Sequence, residues 1–169
     1  MYKRPIFEVI LKRLLEPRRF IQVLSGPRQA GKTTLIRQIM DEIRGPVHYA
    51  SADEPTVKDR VWIDQQWEAA RLKVREGRQP GMLALDEIQK ISGWSETVKR
   101  LWEEDGAAGL PLNVAVLGSS PLLVEKGLTE SLAGRFEIVP VTHWTFREME
   151  AAFGWDIDRF LYYGGYPGA

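Results

Sequence analysis

Gly26, Gly31, Lys32 and Thr33 are spaced as G-x-x-x-x-G-K-[ST], with Pro27, Arg28, Gln29 and Ala30 between the glycines and Thr34 following. An apolar run, Phe20 to Leu24, leads into this stretch, and Leu35, Ile36, Ile39, Met40 and Ile43 follow it on a 3.6 period. A glycine-rich turn between a strand and a helix N-terminus can turn its backbone N–H groups toward an anion, because no side chain blocks the approach. Residues 26–34 are therefore candidate phosphate-binding residues. Lys32 would neutralise β- and γ-phosphate charge, and Thr33 would place its hydroxyl on Mg²⁺. Thr34 would sit near the α-phosphate or cap the helix. The plainer alternative is a tight strand-to-helix turn.

A phosphate site that hydrolyses needs a metal holder and a group to activate water. The stretch "MLALDEIQK" supplies both types, four apolar residues from Met82 running directly into Asp86-Glu87. That form is expected of a buried parallel strand with two carboxylates at its C-terminal edge. Asp86 would hold Mg²⁺ and Glu87 would act as general base toward water. Further on, Leu112 to Leu117 reads as a strand ending in Gly118-Ser119-Ser120. Ser119 is the preferred hydroxyl for the γ-phosphate or the attacking water. Arg135 stands between a short helix and a further strand. Its planar donors suit a transition-state phosphate, commonly one held by a neighbouring subunit, and a surface salt bridge is the equal alternative.

These groups narrow the chemistry. The only asparagine, Asn113, precedes Val114, so no Asn-Lys-x-Asp stretch is present to read guanine. A small-molecule kinase would exclude water and have no use for Glu87 beside Asp86.

The elements that must position these residues follow a βαβ pattern around a parallel sheet. Strands are expected at Phe20 to Leu24, Val47 to Ser51, Met82 to Leu85, Leu112 to Leu117 and Phe136 to Val141. The helix after the glycine-rich turn should stop at Gly45-Pro46. Thr56 to Glu76 reads as a polar helix with Asp53 as its N-terminal cap, and Trp94, Val98, Leu101 and Trp102 stripe another. "TFRE" at 145–148 has capping-box spacing, and Asp156 caps a last short helix through Tyr163. Ahead of the sheet, residues 1–19 form a short amphipathic helix with Ile6, Val9, Ile10 and Leu14 on one face, ended by Pro17. Lys3, Arg4, Lys12, Arg13, Arg18 and Arg19 surround it, either as a solvated rim or as a basic surface for membrane or nucleic acid.

A chain of 169 residues suits one domain with a real core. Lys plus Arg and Asp plus Glu both number 23, so no whole-chain field draws nucleic acid or an anionic membrane. Cysteine is absent, which removes disulfides, thiolate zinc sites and cysteine nucleophiles together. His48 and His143 are not at ligand spacing. No run approaches the ~18 apolar residues of a membrane span, and the N-terminus lacks a signal-peptide core. A cytoplasmic protein without membrane contact is expected.

The set "GPRQAGKTTL", "LALDEIQK", "VLGSS" and "ESLAGRFEIVPVTHWTFREM" resembles the AAA+ superfamily of P-loop ATPases. More narrowly, it is similar to a widespread group of bacterial and archaeal AAA-type ATPases whose core precedes a C-terminal domain. The resemblance runs from about Pro5 to the end. It places Lys32 and Thr33 at Walker A, Asp86 and Glu87 at Walker B, Ser119 at sensor 1, and Arg135 in the region that supplies arginine fingers. It implies a three-layer αβα P-loop NTPase fold with a five-stranded parallel sheet in the order 5-1-4-3-2. Residues 1–169 would form a single ATP-binding core, with 156–169 starting a lid or linker. Superfamily members usually carry a helical lid with a sensor-2 arginine, for which Arg159 is a poor substitute. The closing "GGYPG" resembles a junction to a further domain, so a fragment is expected.

The expected function is Mg²⁺-dependent hydrolysis of ATP to ADP and phosphate, coupled to a conformational change in an attached domain or partner. The alternatives are a nucleotide-gated binding module with little turnover, and a DNA-acting motor. A homo-oligomer and a DNA or protein client are the partner arrangements left open.

Overall fold

In the computed structural model, residues 2–53, 59–119 and 132–168 are described. Five short, β-branched or apolar segments form strands β1 (Ile21–Ser25), β2 (Val47–Ser51), β3 (Gly81–Asp86), β4 (Leu112–Gly118) and β5 (Phe136–Pro140). All pairings are parallel, in the order β2-β3-β4-β1-β5. This is 5-1-4-3-2 read from the other edge. β4 lies between β1 and β3, so the glycine-rich turn and the acidic strand end are separated by one strand of the sheet.

Side-chain alternation along the strands builds two cores. Ile21, Val23, Leu83, Leu85, Leu112, Val114 and Val116 face α3 (Arg60–Gly77) and α4 (Trp94–Ala107), whose Ile63, Trp67, Val74, Val98 and Leu101 complete that layer. Leu24, Met82, Ala84, Ala115 and Leu117 face the other way, onto α1 (Ile6–Leu15) and α2 (Lys32–Glu42) through Phe7, Ile10, Leu14, Leu35, Ile36 and Ile39. The result is three layers, helices on both faces of one sheet. Two short helices close the described chain, α5 (Phe146–Phe153) and α6 (Ile157–Tyr163).

Most expected boundaries lie within a residue or two of the observed ones, and three details differ. The N-terminal helix is Ile6–Leu15 rather than all of 1–19, and its buried face is Phe7, Ile10 and Leu14. Val9 is exposed, because it lies about 100° around the helix from Ile10. Arg4 does not belong to a solvated basic rim; it is buried. The polar helix is capped by Asp59, whose carboxylate accepts from the Trp62 N–H at 3.1 Å, and not by Asp53. The expected start at 56–58 lies outside the described residues. The capping box at Thr145 and Glu148 and the Asp156 cap form as read.

Candidate nucleotide site

The carboxyl ends of β1, β3 and β4 meet on one side of the sheet, the edge where open parallel sheets bind ligands. β1 runs into the glycine-rich loop. At Gly26 a side chain is sterically barred: a Cβ there would lie 1.9 Å from the Val141 carbonyl oxygen. Gly31 holds a left-handed φ of 85° as the N-cap of α2, a conformation that costs glycine nothing. Gln29 adopts φ 62° within the same loop.

Lys32 is the first residue of α2 and folds back over the loop. Its Nζ donates to the carbonyls of Gly26 at 2.8 Å and Pro27 at 2.6 Å, so the ammonium charge is centred above the turn. Burial lowers its pKa, while Glu87 and Asp86 oppose that shift. Thr33 donates through Oγ1 to Asp86 Oδ2 at 2.6 Å, which joins the loop to the end of β3 across the intervening strand. Asp86 is 3% exposed and fully engaged. Tyr49 on β2 donates its hydroxyl to Oδ2 at 2.9 Å, and the Glu87 N–H donates to Oδ1 at 2.9 Å. Burial and the neighbouring carboxylate push the Tyr49 phenol up to about 12.

Glu87 leaves the strand in a left-handed conformation, φ 52°, which turns its side chain away from that of Asp86. Ser119, just past β4, donates to Glu87 Oε2 at 2.7 Å, and Gln89 Nε2 donates to the same oxygen at 2.7 Å and to Ser119 Oγ at 3.0 Å. Glu87 Oε1 carries no hydrogen bond among the described residues. Arg28, Gln29, Gly31, Lys32, Thr33, Thr34, Asp53, Glu87 and Lys90 line one cavity of about 320 Å³. Lys90 and Asp53 form an ion pair at its rim. A larger cavity of about 640 Å³ lies at the opposite end of the sheet, around Leu14, Ile43, Pro80 and Asn113, and includes none of these groups.

The structure thus brings together Lys32, Thr33, Asp86, Glu87 and Ser119. It does not bring Arg135 to them. Arg135 precedes β5 at the amino end of the sheet, where its carbonyl accepts from the Ile21 N–H at 2.8 Å. A strand of five residues, roughly 16 Å long, separates it from the loop. Its guanidinium pairs with Glu103 at 2.5 Å and with the Ala133 carbonyl at 3.0 Å. Ser120 lies outside the described residues. Tyr49, Gln89 and Lys90 escaped the sequence reading, and Asp53 was expected only as a helix cap. Gln89 had a signal, standing two residues after Glu87, whereas Tyr49 reaches Asp86 only through the β2-β3 pairing.

For Mg²⁺ the donor set fits: Thr33 Oγ1 and Asp86 Oδ2 are adjacent hard oxygens, and the ion commonly completes its shell with water and substrate phosphate oxygens. No cluster of three His, Cys, Asp or Glu side chains suited to a metal occurs among the described residues. Nor is any described helix long and apolar enough to cross a membrane.

Comparison with known proteins agrees with this geometry. Residues 18–150 match the family model described as an AAA domain. An uncharacterized protein of Mycobacterium tuberculosis is 34% identical over 149 residues, covering 87% of this chain and 30% of the relative. An uncharacterized protein of Haemophilus influenzae is 26% identical over 167 residues, covering 88% and 40% respectively. The chain therefore spans about a third of the length of these curated relatives. Among solved structures, the Walker-type ATPase of Pyrococcus abyssi superposes with a TM-score of 0.70 over 99% of this chain and 65% of that one, at 15% identity. Cdc6p of Pyrobaculum aerophilum superposes at 0.57 over 89% of this chain and 49% of its own, at 14% identity. These two likenesses concern the fold. With the matched model spanning most of its length, from β1 through most of α5, the chain belongs to the AAA domain family of P-loop ATPases.

Proposed function

We propose that this chain is an Mg²⁺-dependent ATP-hydrolysing core whose turnover drives a conformational change in an attached domain or partner. The observation that carries this reading is the division of labour between adjacent carboxylates. Asp86 is tied to Thr33, while Glu87 is turned away from it and held through one oxygen by Ser119 and Gln89.

The loop from Gly26 to Thr34 binds the phosphates through backbone N–H groups and the N-terminus of α2. Lys32 transfers its ammonium from loop carbonyls to phosphate oxygens. Thr33 and Asp86 would hold Mg²⁺, which when bound would supply neutralisation of phosphate charge. Glu87 Oε1 accepts a proton from the attacking water as the water oxygen bonds to the γ-phosphorus and the bridging P–O bond breaks. ADP and inorganic phosphate leave, and the proton departs from Glu87 to solvent. Ser119 positions the base through its hydrogen bond to Glu87 Oε2.

Residues 1–169 serve as one ATP-binding core, with 156–169 as the start of a lid or linker. Support for coupling comes from Trp144, which donates its backbone N–H to the Gly165 carbonyl at 3.2 Å and its indole N–H to the Ala30 carbonyl at 3.2 Å. The last described segment thereby touches the loop's own support. Arg135 takes no part in its own chain's site, and a role on a neighbouring copy's phosphates would require release from Glu103.

Isothermal calorimetry and phosphate release test the assignment together. Lys32→Ala should abolish ATP binding, and unchanged affinity would overturn the phosphate-loop reading. Glu87→Gln should keep affinity within a few-fold and lose at least about 100-fold in turnover. Wild-type turnover in that variant would remove Glu87 as the base.

A further inference from the structure

The buried arginine just ahead of α1 is explained neither by that helix nor by the site chemistry. Arg4 is 6% exposed and makes five hydrogen bonds. Its Nε and Nη2 bond Glu148 at 2.8 and 3.3 Å, Nη1 bonds the Thr142 carbonyl at 3.1 Å, and Nη2 bonds the His143 carbonyl at 3.5 Å. The fifth runs from Nη1 to the Ala30 carbonyl at 3.0 Å. A guanidinium has five N–H donors, and this one is fully used.

Ala30 is completely buried and is the last residue before Gly31 in the glycine-rich loop. Its carbonyl receives a second donor, the Trp144 indole N–H at 3.2 Å. The Trp144 ring lies 5.0 Å from the Arg4 guanidinium, so the two donors are stacked on one another as well as converging on one oxygen. A trans peptide sets its C=O and N–H in opposite directions. Fixing the Ala30 oxygen on Arg4 and Trp144 therefore fixes the direction of the Gly31 N–H. Gly31 most needs such a hold, since a glycine at φ 85° has no side chain to restrain it.

Resting on the ATP reading above, we propose that Arg4 and Trp144 are positioning residues. They aim the Gly31 N–H at the phosphates by clamping the Ala30 carbonyl from behind, and neither touches the nucleotide's phosphates itself. A donor preset at no cost to binding contributes more than one that must be ordered by the ligand.

Arg4→Ala would strand Glu148 in the interior and is expected to compromise folding, so the decisive variant is Trp144→Phe. It keeps an aromatic ring against Arg4 and removes the indole donor together with part of the ring's packing area, a loss that the melting temperatures read separately. Phe153→Leu is the control, because Phe153 packs on Trp144 with ring centroids 5.5 Å apart and is hydrogen-bonded to nothing in the loop. ATP and inorganic tripolyphosphate are titrated into the full chain by calorimetry, alongside melting temperatures. Trp144→Phe should bind both ligands about three- to tenfold more weakly, the range expected for one buried hydrogen bond, while melting near Phe153→Leu. Phe153→Leu should keep wild-type affinities. Wild-type affinity of Trp144→Phe for both ligands would overturn the clamp, whatever its melting temperature. A loss confined to ATP would also overturn it, placing the indole at the base rather than behind the phosphates. Failure of the wild-type chain to bind ATP is a separate result, which removes the ATP reading and the clamp with it.

Discussion

Glu87, Ser119 and Gln89 form a closed triangle, each pair linked by one hydrogen bond of 2.7 to 3.0 Å. Ser119 gives its proton to Glu87 and accepts one from Gln89, so the hydroxyl orientation is fixed by both neighbours. If Glu87 is the general base proposed above, Ser119→Ala should lower turnover about tenfold and leave ATP affinity within twofold, because it loosens Glu87 without touching the loop. Equal losses in both measurements would show that Ser119 holds phosphate instead. Tyr49 supports the other carboxylate and gives a pH signature. Its phenol is raised from 10.0 to about 12 in the folded chain. Between those values the folded state retains a proton that the unfolded state has lost. The resulting stability is complete below pH 10 and falls away as pH rises toward 12. Urea denaturation of wild type should show that decline, and Tyr49→Phe should lack its share of it.

Helices α3 and α4 lie side by side over the sheet, joined at the surface by the Arg60–Glu96 and Arg100–Asp64 pairs and in the interior by a buried ion pair within a largely apolar seam. Asp105 is 2% exposed and accepts from Arg71 Nε and from Trp67 Nε1, both at 2.7 Å. Arg71 also reaches Glu68, the Leu101 carbonyl and Glu104. Burial acts to lower its pKa, and these acidic partners outweigh burial and raise it. Asp105→Ala leaves that guanidinium short of its buried partner and should cost about 3–5 kcal/mol, read as a lower urea midpoint with ATP affinity retained in the folded fraction. A change below about 1 kcal/mol would mean that Glu68 and Glu104 suffice. The sequence could not announce this seam. It displayed the Trp94-Val98-Leu101-Trp102 stripe and a polar helix, because periodicity reports which residues are apolar and not which polar ones will meet. Strands were legible nearly to the residue, since each is a short apolar run ending at a turn. The glycine-rich loop and the acidic pair were legible because their chemistry is local. Strand order came only from the family resemblance, and Tyr49 became visible once β2 lay beside β3.

At the scale of the whole molecule, Arg4 binds together stretches with no proximity in sequence: the N-terminal entry, the phosphate loop, the 142–144 connection and the first turn of α5. The Arg4–Glu148 contact spans 144 residues. Glu148 is also the acidic partner of the α5 capping box, taking the Thr145 N–H at 2.8 Å, so one carboxylate serves both the helix start and the global closure. Burial alone would raise its pKa, but Arg4 and Thr145 together hold it below the ordinary 4.5. A carboxylate depressed on folding stabilises the native state above its unfolded pKa, and that contribution drains as pH falls through the folded value. Glu148→Gln keeps the shape and an acceptor but removes the charge opposite a buried guanidinium. The variant should be about 2–4 kcal/mol less stable than wild type at pH 7, and the difference should shrink as pH drops below the ordinary 4.5, where the unfolded chain takes up the proton before the folded carboxylate does. Urea midpoints at pH 7 and pH 4 measure both quantities. A gap of the same size at the two pH values would show that Glu148 acts through its shape and cap alone. The charge between the two ends of the chain would then contribute nothing to holding them on the phosphate loop.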